Sequence, residues 1–400
     1  MSGFPMTIKL NRPSKCDVVI FDSFAIQGIT SLLANHSYSV FENRRSVIHV
    51  WALAHMLLRL RFSWLAYCVS YLRLCNPRVV VTGIDSNPLF YKLKHELPDT
   101  RFIAVQNGLR GTGSPRKGGD FWSALSAFGT QKPFVDVVAT FGPEHSRQYS
   151  HHITCEAVAI GSSRSNSIPV RRAPTANQSL QIAFISNFSG VAYEDVFPDG
   201  TAPATAMYLG EEPIPASRYF AIDARIATAT SRICQQNNWD FNIVGRRDRS
   251  FSHERIFFAN ACAGSKFNFI EKQSETWSYE YLDGVDLVVT IDSTLGYEMV
   301  ARGAKVLFVA ARASQFESDH GAQFSFGFPG QYSDDGAFWT TSLEQADIEQ
   351  LMHSILALDD DMWKVRSGFV TRELMCHDPN NERLRSLLSL PTVRPPTDSK

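Results

Sequence analysis

Two successive sets of short apolar runs, separated by one polar stretch, constrain this chain more than any other feature. The first set comprises 17–21 (DVVIF), 78–82 (RVVVT), 102–106 (FIAVQ), 135–140 (VDVVAT) and 157–160 (AVAI). The second comprises 180–185, 241–244, 267–270, 287–291 and 306–309. The runs are β-branched and do not alternate with polar residues, the pattern of strands covered on both faces. Segments with helical spacing lie between them: 88–97 in the first set, and 216–236, 253–262, 274–284, 295–302 and 343–357 in the second. Such alternation folds as a parallel sheet wrapped by helices. The polar stretch 162–178 (SSRSNSIPVRRAPTANQ), with its prolines and arginines, reads as a linker. The expected fold is therefore α/β, with doubly wound domains at 1–165 and 179–357, a linker at 166–178, and a cleft between the domains. Ligands of such sheets bind beyond the carboxyl ends of the strands.

Composition narrows the partners. Lys and Arg total 39 against 40 Asp and Glu, a net charge of −1, which excludes a chain-wide basic surface for nucleic acid. The seven cysteines form no CxxC pair, so free buried thiols are expected rather than a metal site. MSGFPMTIKL lacks the charged start and apolar core of a signal peptide, and a cytoplasmic location is expected. Residues 51–75 (WALAHMLLRLRFSWLAYCVSYLRLC) are apolar and aromatic, yet Arg59, Arg61 and Arg73 are too costly for a spanning helix. Two alternatives remain for this stretch. One is a buried helix pair with solvated arginines. The other is a face resting on the cytoplasmic side of the inner membrane, with arginines near lipid phosphates.

The sharpest local signal is 286–310 (DLVVTIDSTLGYEMVARGAKVLFVA). A buried strand runs to Asp292, and a helix starts at Ser293 or Thr294. Helix N-termini present unpaired N–H groups and a positive dipole end, which suit phosphate. Ser293 and Thr294 add hydroxyls, Gly296 permits close backbone approach, and Glu298 lies one turn in, where it can accept ribose hydroxyls. The plain alternative is that Ser293 or Thr294 only caps the helix.

This segment resembles the donor-site segment of GT-B glycosyltransferases. More closely, the chain resembles bacterial surface-carbohydrate (O-antigen or capsule) biosynthesis proteins, through 79–93 (VVVTGIDSNPLFYKL), 101–111 (RFIAVQNGLRG), 138–145 (VATFGPEH) and 324–340 (FSFGFPGQYSDDGAFWT) as well. The resemblance implies two Rossmann-like domains, with residues 358–400 as C-terminal helices returning to the first domain and a polar tail. It implies metal-independent, cofactor-free sugar transfer from a nucleotide-activated donor to a lipid-linked or oligosaccharide acceptor. The donor would be a CMP-activated ulosonic acid such as Kdo, or a UDP- or GDP-sugar. The His-Pro pair of many CMP-sugar enzymes is absent from 241–254 (FNIVGRRDRSFSHE), where Arg246 and Arg247 would take the phosphates. The paired glutamates of many retaining enzymes are absent too, since Thr290 stands eight residues before Glu298.

On the first domain, Asp85 and the 106–110 segment follow consecutive strands. Asp85, Asn107 and Arg110 are the candidate acceptor and sugar ligands, with a simple turn at Asn107-Gly108 as the alternative. The loop 111–119 (GTGSPRKGG) matches no phosphate-binding motif and reads as a mobile loop. Glu194 and Asp195 follow the first strand of the second domain and are the candidate base or nucleophile, the alternative being a solvated loop. Phe328, Tyr332 and Trp339 offer rings either for sugar stacking or for a packed loop. Asp359–Asp361 reads as helix capping rather than a metal motif. Two further functions are compatible with this pattern: a nucleotide-sugar epimerase, and a non-catalytic glycan- or lipid-binding partner of an assembly complex.

Overall fold

The computed structural model describes residues 7–43, 47–111, 113–114, 117–126, 132–171, 179–188, 205–248, 252–316 and 322–389. Most of the linker, 172–178, lies outside them. The first half contains β1 (Thr7–Lys9), β2 (Val18–Phe21), β3 (Tyr38–Phe41), β4 (Val47–His49), β5 (Val79–Thr82), β6 (Arg101–Val105), β7 (Gly113–Ser114), β8 (Phe134–Thr140) and β9 (Thr154–Ala159). Six of them form a wholly parallel sheet of order β3-β2-β5-β6-β8-β9. The central strands β2, β5 and β6 are buried on both faces, which is why their sequences do not alternate. Val18, Ile20, Val79, Val81 and Ile103 point into one core. Val19, Phe21, Val80, Phe102 and Ala104 point into the other.

The second half contains β10 (Gln181–Ile185), β11 (Thr205–Leu209), β12 (Glu212–Pro215), β13 (Asp240–Asp248), β14 (Asn268–Lys272), β15 (Leu287–Thr290), β16 (Val306–Val309) and β17 (Trp339–Thr340). Its main sheet, β14-β13-β10-β15-β16-β17, is also wholly parallel. Each sheet therefore has one point where the chain reverses its direction of strand addition: between β2 and β5, and between β10 and β15. Ligands of doubly wound sheets bind at such switch points.

Three features tie the halves together. The helix Glu382–Leu388 follows the second half in sequence but buries Leu384 and Leu388 in the first sheet's core, beside Val18 and Val79. The side chain of Arg302, at the end of the helix Thr294–Ala301, reaches the start of the linker. It donates to the carbonyls of Ser165 (3.1 Å), Ile168 (2.9 Å) and Pro169 (3.2 Å) and pairs with buried Asp283. The third feature lies in the 111–119 loop, of which residues 112, 115 and 116 are outside the described structure. Gly113–Ser114 forms an antiparallel pair with Tyr208–Leu209 of β11, and the Gly113 N–H donates to Gln323 Oε1 (2.9 Å).

The 51–75 stretch divides at Ser63, whose side chain caps the helix Trp64–Cys75 by accepting from Ala66 N (3.1 Å). That helix is buried, whereas the preceding helix Val50–Leu58 buries only Ala52 and Met56. No helix among the described residues is long and apolar enough to cross a membrane. All seven cysteines are free, five of them buried.

Candidate functional site

The two switch points face one another across a cleft of about 760 Å³. From the first sheet come Phe24, Gly83 and the 105–111 segment; from the second come Ser186, Asn187, Arg246 and the 292–295 turn; Ser162–Arg164 lie along the same cavity. A volume in this range suits a ligand of nucleotide-sugar size.

On the second-sheet wall, β15 ends at Thr290 and the helix Thr294–Ala301 opens into the cleft. Ser293 is its N-cap, accepting from Leu295 N (3.3 Å), so this hydroxyl already serves the helix while bordering the cavity. Thr294, the first helical residue, also lines the cavity. Gly296 does not; it faces the sheet. A Cβ there would meet Thr290 Cγ2 at 2.6 Å and the Phe308 ring at 3.0 Å, so the glycine serves helix–sheet packing rather than approach to a ligand. Glu298 lines the cleft, is 7% exposed, and accepts from Tyr279 Oη (2.8 Å). Burial pushes its carboxyl up from the ordinary value, against hydrogen bonds from Ser162 and Tyr279 and the charges of Arg164 and Arg302. Arg246 lines the cleft with Nη1 donating to the Asn187 carbonyl (3.3 Å). Arg247 follows it in β13, with its side chain outside the described structure. Glu194 and Asp195 lie outside the described residues.

Sequence reasoning missed the acid at the centre of this wall. Asp292 Oδ1 accepts from Asn187 Nδ2 (2.7 Å) and Arg312 Nη1 (2.8 Å). Arg312 is fully buried, pairs also with buried Asp223, and lies 4.0 Å from the Tyr219 ring centroid. The carboxyl of Asp223 is pushed up to about 6, chiefly by burial. The only prior signal was a strand ending in Asp; nothing in local spacing links 223, 292 and 312.

On the first-sheet wall, Asp85 does not reach the cleft, which corrects its expected place on the edge. It is fully buried and spent on the frame: the Arg110 guanidinium holds both its carboxylate oxygens, Tyr149 Oη donates to Oδ2, and Asn107 N donates to Oδ1 (3.1 Å). Arg110 also donates to Asn107 Oδ1. Asn107 and Arg110 do line the cleft, fixed from behind by Asp85. Gln106 extends the frame, accepting from Phe141 N (2.9 Å) and donating to the Gly108 carbonyl (3.0 Å). Beside these, the turn after β2 has positive φ at Asp22 (81°) and Ala25 (58°), with Asp22 Oδ1 accepting from Phe24 N (3.1 Å). It fits only because Gly83 is bare: a Cβ there would lie 2.4 Å from the Ala25 carbonyl oxygen. The turn presents Phe24, 53% exposed, on the cleft wall. Backbone strain of this kind persists where surrounding structure over-determines it.

The rings of 327–340 are not in the cleft. Trp339 stacks on Phe326 with centroids 4.3 Å apart, and Tyr332 packs on Phe369, so this is the packed-loop alternative. Asp359 caps its helix by accepting from Met362 N (2.7 Å). Among the described residues no group of His, Cys, Asp or Glu is arranged to hold a metal ion.

Two parallel doubly wound sheets with switch points facing a shared cleft, and a C-terminal helix returning to the first sheet, define a GT-B-type protein. Solved structures of similar shape include UDP-GlcNAc 2-epimerase from Neisseria meningitidis bound to UDP-GlcNAc (9% identity, 96% of this chain and 99% of that chain covered, TM-score 0.50). They also include the wall teichoic acid polymerase TagF soaked with CDPG (10% identity, 93% and 88% covered, TM-score 0.50). A third is UDP-GlcNAc 2-epimerase from Methanocaldococcus jannaschii (10% identity, 96% and 99% covered, TM-score 0.50). At such identities the likeness is one of fold. No curated protein matches the chain. Residues 103–390 match the family described as "putative O-antigen biosynthesis protein", and the chain belongs to that family.

Proposed function

We propose that the protein is a glycosyltransferase that moves a sugar from a nucleotide-activated donor onto a growing surface polysaccharide. The observation that carries this reading is the N-terminus of Thr294–Ala301 bordering the cleft at the second switch point, opposite Asn107 and Arg110. The donor phosphate or diphosphate sits against that helix end with Arg246 and Arg247, where N–H groups and guanidinium charge stabilise a departing nucleotide. Thr294 and Ser293 border the phosphates, and Glu298 takes ribose hydroxyls. No metal or further cofactor takes part. The acceptor, lipid-linked or an oligosaccharide, approaches Asn107 and Arg110, and Glu194 or Asp195 supplies the base or nucleophile. Transfer takes place in the cytoplasm, with the protein resting peripherally on the inner membrane.

A thermal-shift screen across UDP, GDP, CMP, CDP and dTDP tests the donor site. One nucleotide at about 100 times its Kd should stabilise the protein by about 2.7 kcal/mol. Thr294→Ala or Glu298→Ala should weaken that shift with the fold intact. Asp195→Asn or Glu194→Gln should keep the shift and lower turnover by about two orders of magnitude. A protein indifferent to every nucleotide sinks the reading, and interconversion of free nucleotide sugars without acceptor replaces it with an epimerase.

A further inference from the structure

We propose that the first half carries a membrane-docking surface for anionic lipid, formed by β1, the helix Val50–Leu58 and the turn that follows it. The surface lies outside the cleft, so its behaviour is independent of the transfer reaction.

The helix Val50–Leu58 turns Ala52 and Met56 inward, yet its other faces are apolar too: Val50, Trp51, Leu53, Leu57 and Leu58 are exposed. A surface helix of a soluble domain carries charged or polar residues there. The turn continues the pattern, with Leu60 79% and Phe62 72% exposed. β1 pairs in parallel with β4, which runs straight into the helix, and this brings exposed Ile8 and Leu10 alongside. Nine of the sixteen exposed large apolar side chains among the described residues thus come from two adjoining segments, where scattered single ones would be ordinary. The helix Trp64–Cys75, part of the same apolar stretch in sequence, is buried and takes no part.

Charge selects the occupant. Residues 7–16 and 47–75 contain no Asp or Glu. Exposed Lys9 stands between Ile8 and Leu10, exposed Arg59 stands between Leu58 and Leu60, exposed Arg12 and Lys15 follow β1 in sequence, and Arg61 is tied to Glu96 (2.7 and 2.9 Å). A second copy would bring like charges together. An anionic bilayer satisfies both features: apolar side chains enter the headgroup–acyl boundary by about 5–10 Å, and the cations stay at phosphate level.

Co-sedimentation of the full chain with phosphatidylcholine vesicles, with and without one-third phosphatidylglycerol, tests this. Wild type should bind the phosphatidylglycerol vesicles, less tightly as salt is raised. The triple variant Leu58→Ser, Leu60→Ser, Phe62→Ser should lose about ten-fold or more in partitioning. Its melting temperature should remain that of wild type. Should the triple variant fail to fold, Arg59→Glu alone should still lower binding by about five-fold. Absence of wild-type binding, equal binding to pure phosphatidylcholine, undiminished binding by a folded triple variant or by Arg59→Glu, or a wild-type dimer that the triple variant dissolves would each overturn the proposal.

Discussion

His145 lies behind the 106–110 segment, its Nδ1 3.4 Å from Gln106 Nε2, and burial holds its imidazole down to about 3, with the Arg110 charge adding to the effect. Between that value and 6.5 the unfolded chain binds a proton that the folded protein refuses. Stability is therefore lost as pH falls through this window, by about 1.4 kcal/mol per pH unit. Asp223 acts in the opposite sense. Its folded carboxyl titrates at about 6 against an ordinary 3.8, so the folded state takes the proton first and gains stability as pH falls between those values. His145→Gln keeps a polar partner for Gln106 and cannot charge. Its melting temperature should match wild type near pH 7.5 and fall less steeply between pH 6 and 4; a parallel decline would refute the assignment. At this scale residue type was legible and role was not. Asp85 and Arg110 are the side chains that recognise sugar hydroxyls and phosphates, and equally those that brace a loop. Only the 0% exposure of Asp85 and its ties to Arg110, Tyr149 and Asn107 separate the two uses.

Strands buried on both faces announce themselves, because every position must be apolar. The central strands β2, β5, β6, β10, β15 and β16 were legible for that reason; the half-exposed edge strands β9 and β14 were found through the runs 157–160 and 267–270, whereas β3 was not found. This edge strand pairs only with β2 and has a half-exposed sequence, YSVF. The two-residue β7 was not legible, because it is defined by pairing with β11 across more than ninety residues of sequence; the hairpin β11–β12 is local, but its sequence carries no β-branched apolar run like those of the main-sheet strands. The helix Thr294–Ala301 was placed correctly, but the reason for its glycine was not: Gly296 sits against Thr290 and Phe308. Gly296→Ala gains helix propensity yet pushes a Cβ to 2.6 Å from Thr290 Cγ2. Overpacking of this kind typically costs about 1–3 kcal/mol. The variant should melt lower than wild type. Because the helix end borders the cleft, its nucleotide-induced thermal shift should fall as well. A variant as stable as wild type would show that the helix can back away from the sheet without penalty.

The two sheets work as one molecule only if their switch points stay in register across the cleft, and Arg302 is placed to hold them so. It belongs to the second half, yet its guanidinium binds three carbonyls at the start of the linker and is anchored by Asp283, which also accepts from Arg171 N (3.0 Å). Both side chains are almost wholly buried, at 0% and 1% exposure. Removing one member of a buried pair leaves an uncompensated charge and typically costs about 3–5 kcal/mol. Arg302→Met keeps most of the aliphatic length and removes the charge and all the donors. Chemical denaturation should show a loss of this order. The proposed donor residues Arg246, Ser293, Thr294 and Glu298 all lie in the second half and keep their scaffold, so nucleotide affinity measured by titration should change less than turnover. The proposed transfer needs Asn107 and Arg110 opposite them, so turnover should fall well beyond any change in donor KM. Lysine at 302 restores charge but not the planar fork that reaches several carbonyls at once, and should recover only part of the stability. A variant within about 0.5 kcal/mol of wild type would mean that the linker is held by other contacts, and that the bridge of β7 to β11 and the packing of Leu384 and Leu388 suffice to keep the two walls opposed.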